Sequence, residues 1–562
     1  MPRHRHTLYL LLAILVALVV RLIVARLETE VGVDSVHYIL MGDNIAHGRS
    51  WDTWNTTGGR WILPPLLPML IALFRLMGAS LEWSGHLAAV TAGTLLPVPI
   101  YFLTRRLYGE TTALVAVILA GFTPILVDYS AVILTECLFA ACALAMLIFA
   151  HRSFSEPGTA WDGFWAGVWA ALALLTKTFG ILLVPFLLLS YLFGKGGHSK
   201  VGPRKQVVMA AIGFLILAIP YWGALRQYTG RWVLDGKGIG QEARIYARDL
   251  TEEHIDPRYS GELTEDASDF AINAGPQESR PTEAIPGGIV YNYVKKYLQK
   301  LVRVYQDFPF TPAYPNNVLL LYLFPTLLLG LGLFTGRGSW RERPSDRFLL
   351  FWLCPFIFGL PLIFVEVRYF IPVIPLLIPF MALGAEKMGR WAQQRFARPE
   401  AASGGLSQSA ALGIVVAVFI LLALPKITFK LTNWDDPMVS YNPRKAAAEW
   451  LEANGYGGQR IMEYGHSVSF YSGGQSILIP QGDLSEVIRI ARKYGADILS
   501  LDEFYCLRAH RRPELEFLFD TSQPSPPELE RIYHDERHAG LHHVIYRIRS
   551  PEEHPENYAR RF

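Results

Sequence analysis

Residues 104–136, TRRLYGETTALVAVILAGFTPILVDYSAVILTE, contain the pattern that decides the fold. A pair of arginines precedes an apolar run at 111–128, and a short loop separates it from a second apolar run at 131–150. An apolar stretch of about 20 residues, at ~1.5 Å per residue, is long enough to cross ~30 Å of hydrocarbon. The stretch therefore predicts two membrane-spanning helices joined by a short polar loop.

Nine further apolar runs of spanning or near-spanning length bring the predicted number of membrane-spanning helices to eleven. They lie at 7–27, 83–104, 163–177, 178–194, 207–226, 316–335, 347–365, 368–387 and 409–426. Of the 562 residues, 51% are hydrophobic and 18% are charged, whereas a soluble domain has about 25% charged residues. The net charge of +3 gives no reason to expect a nucleic-acid partner, and four cysteines do not make a dense disulfide scaffold.

The positions of Lys and Arg predict the orientation of these helices. Sixteen of these cations lie in alternate loops, whereas the opposite short loops contain almost none, and Lys and Arg prefer the cytoplasmic side. We therefore expect a multi-pass protein of the inner or plasma membrane, with its N-terminus in the cytoplasm and its C-terminal domain outside. This orientation requires that 61–78 does not cross; three prolines crowd its start, so we expect a re-entrant or juxtamembrane helix there.

Two domains are predicted. Residues 1–426 form the membrane-spanning catalytic domain, with outer loops at 28–82 and 227–315, and residues 427–562 form a small soluble α/β domain. In the latter, RKAAAEWLEANG and DLSEVIRIARKYG predict helices, the second capped by Asp483, and RIMEY, SILIP, DILSL and HHVIYRI predict strands. We find no glycine-rich phosphate loop in this domain, so we expect it to be accessory rather than catalytic.

The first outer loop contains a carboxylate just beyond the first apolar run. In VGVDSVHYILMG, His37 and Tyr38 follow Asp34 at i+3 and i+4 and share its helical face. An acid at this depth is costly in lipid, so it must face water or a ligand. The alternative is that Asp34 only caps the helix that follows.

The second outer loop has Asp128 at the end of one run and Glu136 near the start of the next. A carboxylate within an apolar helix suggests a function, although Glu136 could instead be a helix-start acid at the interface. Asp128 is the weaker candidate of the two.

Two cations lie at the outer ends of later runs. Lys177 follows LALLT with no acid beside it in sequence, and would suit a lipid phosphate or reach the head groups. In FVEVRYF, Arg368 precedes Tyr369 and could pair with Glu366 or bind a phosphate with its planar fork.

The order of these motifs resembles a known family. The order is a loop acid, then PPLLP, TRRLYG, FTP with DYSAVILTE, LLTK and RYFIPVIPLL. This order is similar to that of the GT-C superfamily of polyprenyl-phosphate-dependent glycosyltransferases. The likeness extends over roughly residues 7–390 and is strongest to the bacterial branch of protein O-mannosyltransferases and lipid A aminoarabinose transferases.

The resemblance implies roles for particular residues. Asp34 would be the catalytic carboxylate and Glu136 the second acidic motif, and Lys177, Arg368 and Tyr369 would surround the donor phosphate. Two departures from the family pattern are present: Ser35 stands where a second adjacent acid is common, and Leu63 stands where the aminoarabinose enzymes have a lysine before the PP pair. Arg60 is then the candidate cation for that position.

The predicted reaction is an inverting displacement in which a hexose or pentose leaves a polyprenyl phosphate for an acceptor at the outer face. The acceptor would be a glycan, a lipid or a protein. Asp34 would take its proton, His37, Tyr38 and Asp128 are candidate substrate contacts, and a divalent ion such as Mg or Mn near Glu136 is a candidate cofactor. The alternatives are a polysaccharide polymerase or ligase, which moves an oligosaccharide from the same donor type, and a secondary transporter.

The orientation can be tested with single cysteines at Gly261 and Gly473 in a cysteine-free background. Because both positions are predicted to lie outside, a membrane-impermeant thiol reagent should label them in intact spheroplasts. Labelling of both only after lysis would contradict the orientation.

Overall fold

The computed structural model describes residues 3–550, except 52, 55–59, 155–157, 194–201, 231, 235–293, 296, 300, 303–318, 335–343, 360–366, 397–406, 481–482, 510–511 and 539–540. Most of the predicted outer loop 227–315 therefore lies outside the described residues. The chain divides into two compact units. The first contains Met1–Leu27, Pro64–Gly236 and Ile289–Phe429, and within its described parts the second contains Glu28–Leu63 and Lys430–Phe562.

The first unit is a helical bundle. Its helices are α1 (Arg3–Arg26), α3 (Leu66–Leu76), α4 (Leu81–Leu95), α5 (Pro97–Tyr108), α6 (Glu110–Phe122), α7 (Pro124–Ala131), α8 (Glu136–Phe154), α9 (Ala160–Thr176), α10 (Leu183–Phe193), α11 (Pro203–Thr229), α12 (Leu319–Phe334), α13 (Pro344–Gly359), α14 (Ile374–Phe396) and α15 (Gln408–Ile427). Two 3-10 helices, Thr178–Leu182 and Val367–Phe370, interrupt the series.

Each of the eleven predicted apolar runs overlaps a helix of this unit. In the described part of the chain, five helices are long and apolar enough to cross a membrane, and a sixth span is obtained if the bent pair α6 and α7 is counted as one. The polytopic helical fold class is confirmed, whereas the number of eleven crossings stays a prediction. Helix α3 has 11 residues and is therefore about 16 Å long, which is too short to cross alone.

The bend between α6 and α7 is stabilised by a buried arginine of α1. The two helices meet at 55°, and Pro124 at the start of α7 has no N–H to continue the ladder of α6. The fully buried Arg21 donates hydrogen bonds to the carbonyl oxygen of Gly121 (3.3 Å) and to Ser130 Oγ (3.1 Å). One side chain therefore satisfies polar groups on both sides of the bend.

Glycines allow α9 and α11 to approach each other closely. Gly163 and Gly167 lie one turn apart on α9, and a Cβ at Gly167 would lie 1.9 Å from the carbonyl oxygen of Ala210 on α11. A Cβ at Gly213 of α11 would in turn lie 2.1 Å from the carbonyl oxygen of Phe164. Small residues at this spacing are typical of helices that pack tightly in membranes. Lys177 directly follows the last residue of α9.

The second unit contains a five-stranded mixed sheet. Its strands are β3 (Arg460–Glu463), β4 (Gln475–Leu478), β5 (Ile498–Asp502), β6 (Leu529–Asp535) and β7 (His543–Ile548), in the order β4-β3-β5-β7-β6. The helices of this unit are α2 (Val33–Ala46), α16 (Phe429–Thr432, at its boundary), α17 (Pro437–Ser440), α18 (Pro443–Ala453), α19 (Ser467–Tyr471) and α20 (Leu484–Lys493), and a short hairpin pairs β1 (Thr53–Trp54) with β2 (Arg60–Trp61).

The sheet has apolar side chains on both faces. Along β3, Ile461 packs in the cluster that contains Leu451 of α18, and Met462 packs in the cluster that contains Val487 of α20. Successive residues of a strand point to opposite faces, so the two helices lie on opposite sides of the sheet. The predicted helices and strands of the tail are confirmed, including the cap by Asp483, whose side chain accepts from the N–H of Glu486.

The close contact of α9 and α11 can be tested with Gly167→Ala. The added Cβ would overlap the backbone of Ala210, so we expect a loss of about 1–3 kcal/mol of unfolding free energy in detergent. Gly223→Ala on α11 is the matched control, because no atom lies within 4 Å of its Cβ position; it should be neutral or slightly stabilising. Equal stability of the two variants would contradict the close contact.

Candidate functional site

A buried ion pair lies in the first unit. Glu136 is the first residue of α8 and is 2% exposed, and its Oε1 lies 2.7 Å from Lys177 Nζ. Lys177 follows the last residue of α9 in an extended conformation, and this turns the chain into the 3-10 helix. The sequence shows no acid beside Lys177; the acid lies 41 residues earlier and meets it through the fold.

Aromatic and guanidinium groups complete this cluster. Lys177 Nζ lies 4.3 Å from the ring centroid of Tyr369, and Arg368 Cζ lies 5.3 Å from the same centroid. Both are cation–π distances. The structure thus brings together four residues that sequence analysis selected from three separate segments.

One carboxylate oxygen of the cluster takes no part in these contacts. Glu136 Oε2 is buried and has no hydrogen-bond partner among the described residues. Glu366, the alternative partner for Arg368, lies outside the described residues. Asp128 is half-buried in α7, on a different helix from Glu136.

In the second unit, Asp34 is the second residue of α2. The N-cap of this helix is Gly32, so the interpretation of Asp34 as the N-cap is wrong. Asp34 is half-buried, and His37 and Tyr38 on the same helix are buried. Arg60 lies in β2, but its side chain is outside the described part of the structure.

The segment before α2 is held by the C-terminal part of the same unit. Lys430 pairs with Glu28 (2.5 Å), and Asn442 donates to the carbonyl oxygen of Thr29 (2.7 Å). Arg444 makes a two-pronged ion pair with Glu30, with Nη2 and Oε2 3.0 Å apart. Ser467 Oγ donates to the carbonyl oxygen of Val31 (3.3 Å). Residues 28–31, which the sequence assigned to an outer loop of the membrane-spanning domain, therefore pack on the sheet-containing unit.

A histidine that sequence analysis did not select lies beside α2. The rings of His466 and His37 are 4.9 Å apart in an edge-to-face arrangement, and the Asp34 carboxylate is near enough to raise the pKa of His466. Burial has the larger and opposite effect and lowers this pKa to about 4. The only signal in the sequence is that His466 follows the end of a predicted strand, where functional side chains often lie.

The described residues near Glu136 do not fit a divalent metal ion. A second cation would compete with the Lys177 ammonium for the same carboxylate, and like charges at this distance repel. Within the described parts of the chain, no group of three or more His, Cys, Asp or Glu side chains is arranged to hold a metal ion.

The ion pair can be tested through stability. Lys177→Met leaves the buried Glu136 carboxylate without its counter-ion and should cost about 3–5 kcal/mol of unfolding free energy, whereas adding Glu136→Gln should restore most of it. Chemical unfolding in detergent would measure both. Arg489→Met is the control: it removes an exposed pair with Glu486 and should cost about 1 kcal/mol or less. Additive losses from the two substitutions would contradict the pairing.

Comparisons with known proteins concern the fold of the chain. Residues 63–223 match the family model described as dolichyl-phosphate-mannose-protein mannosyltransferase. No curated protein sequence matches the chain.

Solved structures match over most of the chain. ArnT from Cupriavidus metallidurans bound to undecaprenyl phosphate is 14% identical with a TM-score of 0.55, over 96% of this chain and 98% of ArnT. The oligosaccharyltransferase AglB from Archaeoglobus fulgidus, in complex with an inhibitory peptide and a dolichol-phosphate, is 14% identical with a TM-score of 0.57, over 91% and 71%. Another structure of the Archaeoglobus fulgidus oligosaccharyltransferase, with Zn and sulfate, is 13% identical with a TM-score of 0.58, over 98% and 74%. The chain therefore has the GT-C fold that its sequence motifs predicted.

Proposed function

We propose that this chain is an integral membrane glycosyltransferase that moves a sugar from a polyprenyl-phosphate donor to an acceptor. The observation that supports this function best is the cluster of Glu136, Lys177, Arg368 and Tyr369 at helix ends of an apolar bundle. Such a bundle can hold the lipid tail of the donor, and cations at its helix ends suit the phosphate of the donor.

The charges of the cluster favour an anionic ligand. Among the described residues it contains two cations, Lys177 and Arg368, and one carboxylate, Glu136. Both cations lie in apolar surroundings, where they would interact with an anion more strongly than in water. As the bond from sugar to phosphate breaks, Lys177 and Arg368 would stabilise the negative charge that develops on the leaving phosphate. Glu136 would hold Lys177 in place, and Tyr369 would support both cations through its ring.

Asp34 is the proposed general base. Its position in the first turn of α2 leaves it half-buried, and it would accept the proton of the acceptor hydroxyl as that oxygen attacks the anomeric carbon. A single displacement of this kind inverts the configuration of that carbon. His37, Tyr38 and Asp128 are proposed substrate contacts, and Arg60 is proposed to bind the donor phosphate. A role for Mg or Mn is suggested only by the resemblance, and no step here depends on it.

The reaction would take place at the outer face of the membrane. This proposal rests on the charge pattern of the loops, which favours a cytoplasmic N-terminus and an extracytoplasmic C-terminal domain. Residues 1–426 would form the catalytic domain and residues 427–562 a soluble domain at that face. The acceptor would be a glycan, a lipid or a protein, and the sugar a hexose or a pentose.

Asp34→Asn tests the function and the base together. Asparagine is nearly the same size but cannot take a proton, so the variant should fold normally and bind donor lipid, yet transfer sugar at least about 10²-fold more slowly. The assay follows release of polyprenyl phosphate and labelled acceptor from a panel of labelled polyprenyl-phosphate sugars. A transporter would release no free polyprenyl phosphate.

Asp43→Asn is the matched control. Asp43 lies on the same helix and pairs with Arg49 and His47 at the surface, so its loss should leave the rate unchanged. If Asp34→Asn transfers sugar at the wild-type rate, another residue is the base. If the wild-type chain transfers sugar from none of the donors, the proposed function is contradicted.

A further inference from the structure

His466 has an unusual backbone conformation. Its φ is +64°, and it is the one residue other than glycine with a positive φ among the described residues. This region favours glycine, and a bulky side chain there is a sign of strain that often marks a functional site. A glycine at 466 would remove the strain, so the presence of histidine suggests that the imidazole itself is needed.

The contacts of the imidazole point toward the acid of α2. The side chain is buried, its ring lies against the ring of His37, and it is in electrostatic range of Asp34. Its Nδ1 forms a hydrogen bond of 2.6 Å with Ser476 Oγ on β4. The imidazole thus connects the sheet with the helical face on which Asp34 and His37 lie.

The loop that presents His466 is fixed from both sides. The buried Glu463 carboxylate at the end of β3 accepts from the backbone N–H groups of Val468 and Ser469, at 2.9 and 3.0 Å. Ser467 donates to the carbonyl oxygen of Val31, just before α2. At Gly465, with a φ of +97°, a Cβ would lie 3.5 Å from Val33 Cγ2. The loop therefore contacts the start of α2 directly.

We propose that His466 is a positioning residue of the candidate catalytic centre: its imidazole holds the face of α2 that presents Asp34 and His37 in the geometry needed for proton transfer. The inference rests on the proposed function and extends it, because it assigns to the C-terminal part of the chain a direct role in the chemistry. Since burial keeps the pKa of His466 low, the imidazole is neutral near pH 7 and can orient its neighbours by hydrogen bonding and ring contact without forming a tight ion pair with Asp34.

The test uses two substitutions that suit a positive φ. Glycine adopts this conformation freely and asparagine tolerates it, so His466→Gly and His466→Asn should both keep the thermal midpoint of the wild-type chain within a few degrees. In the full-length protein we expect kcat to fall by about tenfold to a hundredfold in both, the cost of a misplaced reacting group, with KM for the donor unchanged. Free imidazole should partly restore kcat in His466→Gly.

The control is His542→Asn, which changes a half-buried histidine beside Glu503 and should transfer sugar at the wild-type rate. Wild-type kcat in both His466 variants would overturn the inference. A second result would also overturn it: in both variants kcat and the thermal midpoint fall together, and imidazole does not restore kcat. The role of His466 would then be purely structural. Each experiment also measures sugar transfer by the wild-type chain. An inactive wild type would contradict the proposed function, and this result differs from both results that would overturn the inference about His466.

Discussion

A charge that is removed from water needs an opposite charge beside it. In the helical unit, the buried Glu136 carboxylate meets this need by pairing with Lys177. Glu136 begins α8 and Lys177 directly follows the last residue of α9, so the pair forms only where two helix ends meet. Glycines allow α9, the helix before Lys177, to approach α11 closely. The Lys177 ammonium in turn lies over Tyr369, at the turn that precedes α14. The backbone is irregular at these helix ends, and polar groups meet there within an apolar bundle.

Hydrophobic patterning predicts much of this fold. The apolar runs coincide with helices because a long apolar sequence is stable in few environments other than a membrane-spanning helix. Polar residues at the ends of these runs can meet because these helix ends lie close together in the bundle. Lys177, Glu136, Arg368 and Tyr369 were selected on this ground, and the fold brings them together. Their pairing could not be predicted, since the partners are far apart in sequence and nothing local indicates the contact.

Three features could not be predicted from the local sequence, each for a different reason. The edge strand β6 has the sequence LERIYHD, whose polar residues hide the alternation that usually identifies a strand. The interpretation of Asp34 as the N-cap of α2 is reasonable by residue type but wrong. Residues 28–31 are hydrogen-bonded within the sheet-containing unit, and the helix begins earlier, at Val33. The tertiary contact overrides the local preference in that case. His466 escaped notice because its role depends on a backbone angle and a distant neighbour.

The hydrogen bonds of residues 28–31 to Asn442, Arg444 and Ser467 span more than 400 positions of sequence. During synthesis the ribosome makes residues 28–31 more than 400 positions before the side chains that bind them, at about 5–20 residues per second. Until those side chains have been made, the segment before α2 lacks these hydrogen-bond partners. A chain that stops before residue 442 would keep the helices of the first unit but lack the hydrogen bonds from Asn442, Arg444 and Ser467. The order of synthesis thus delays support of the segment before Asp34 until residues 442–467 have been made.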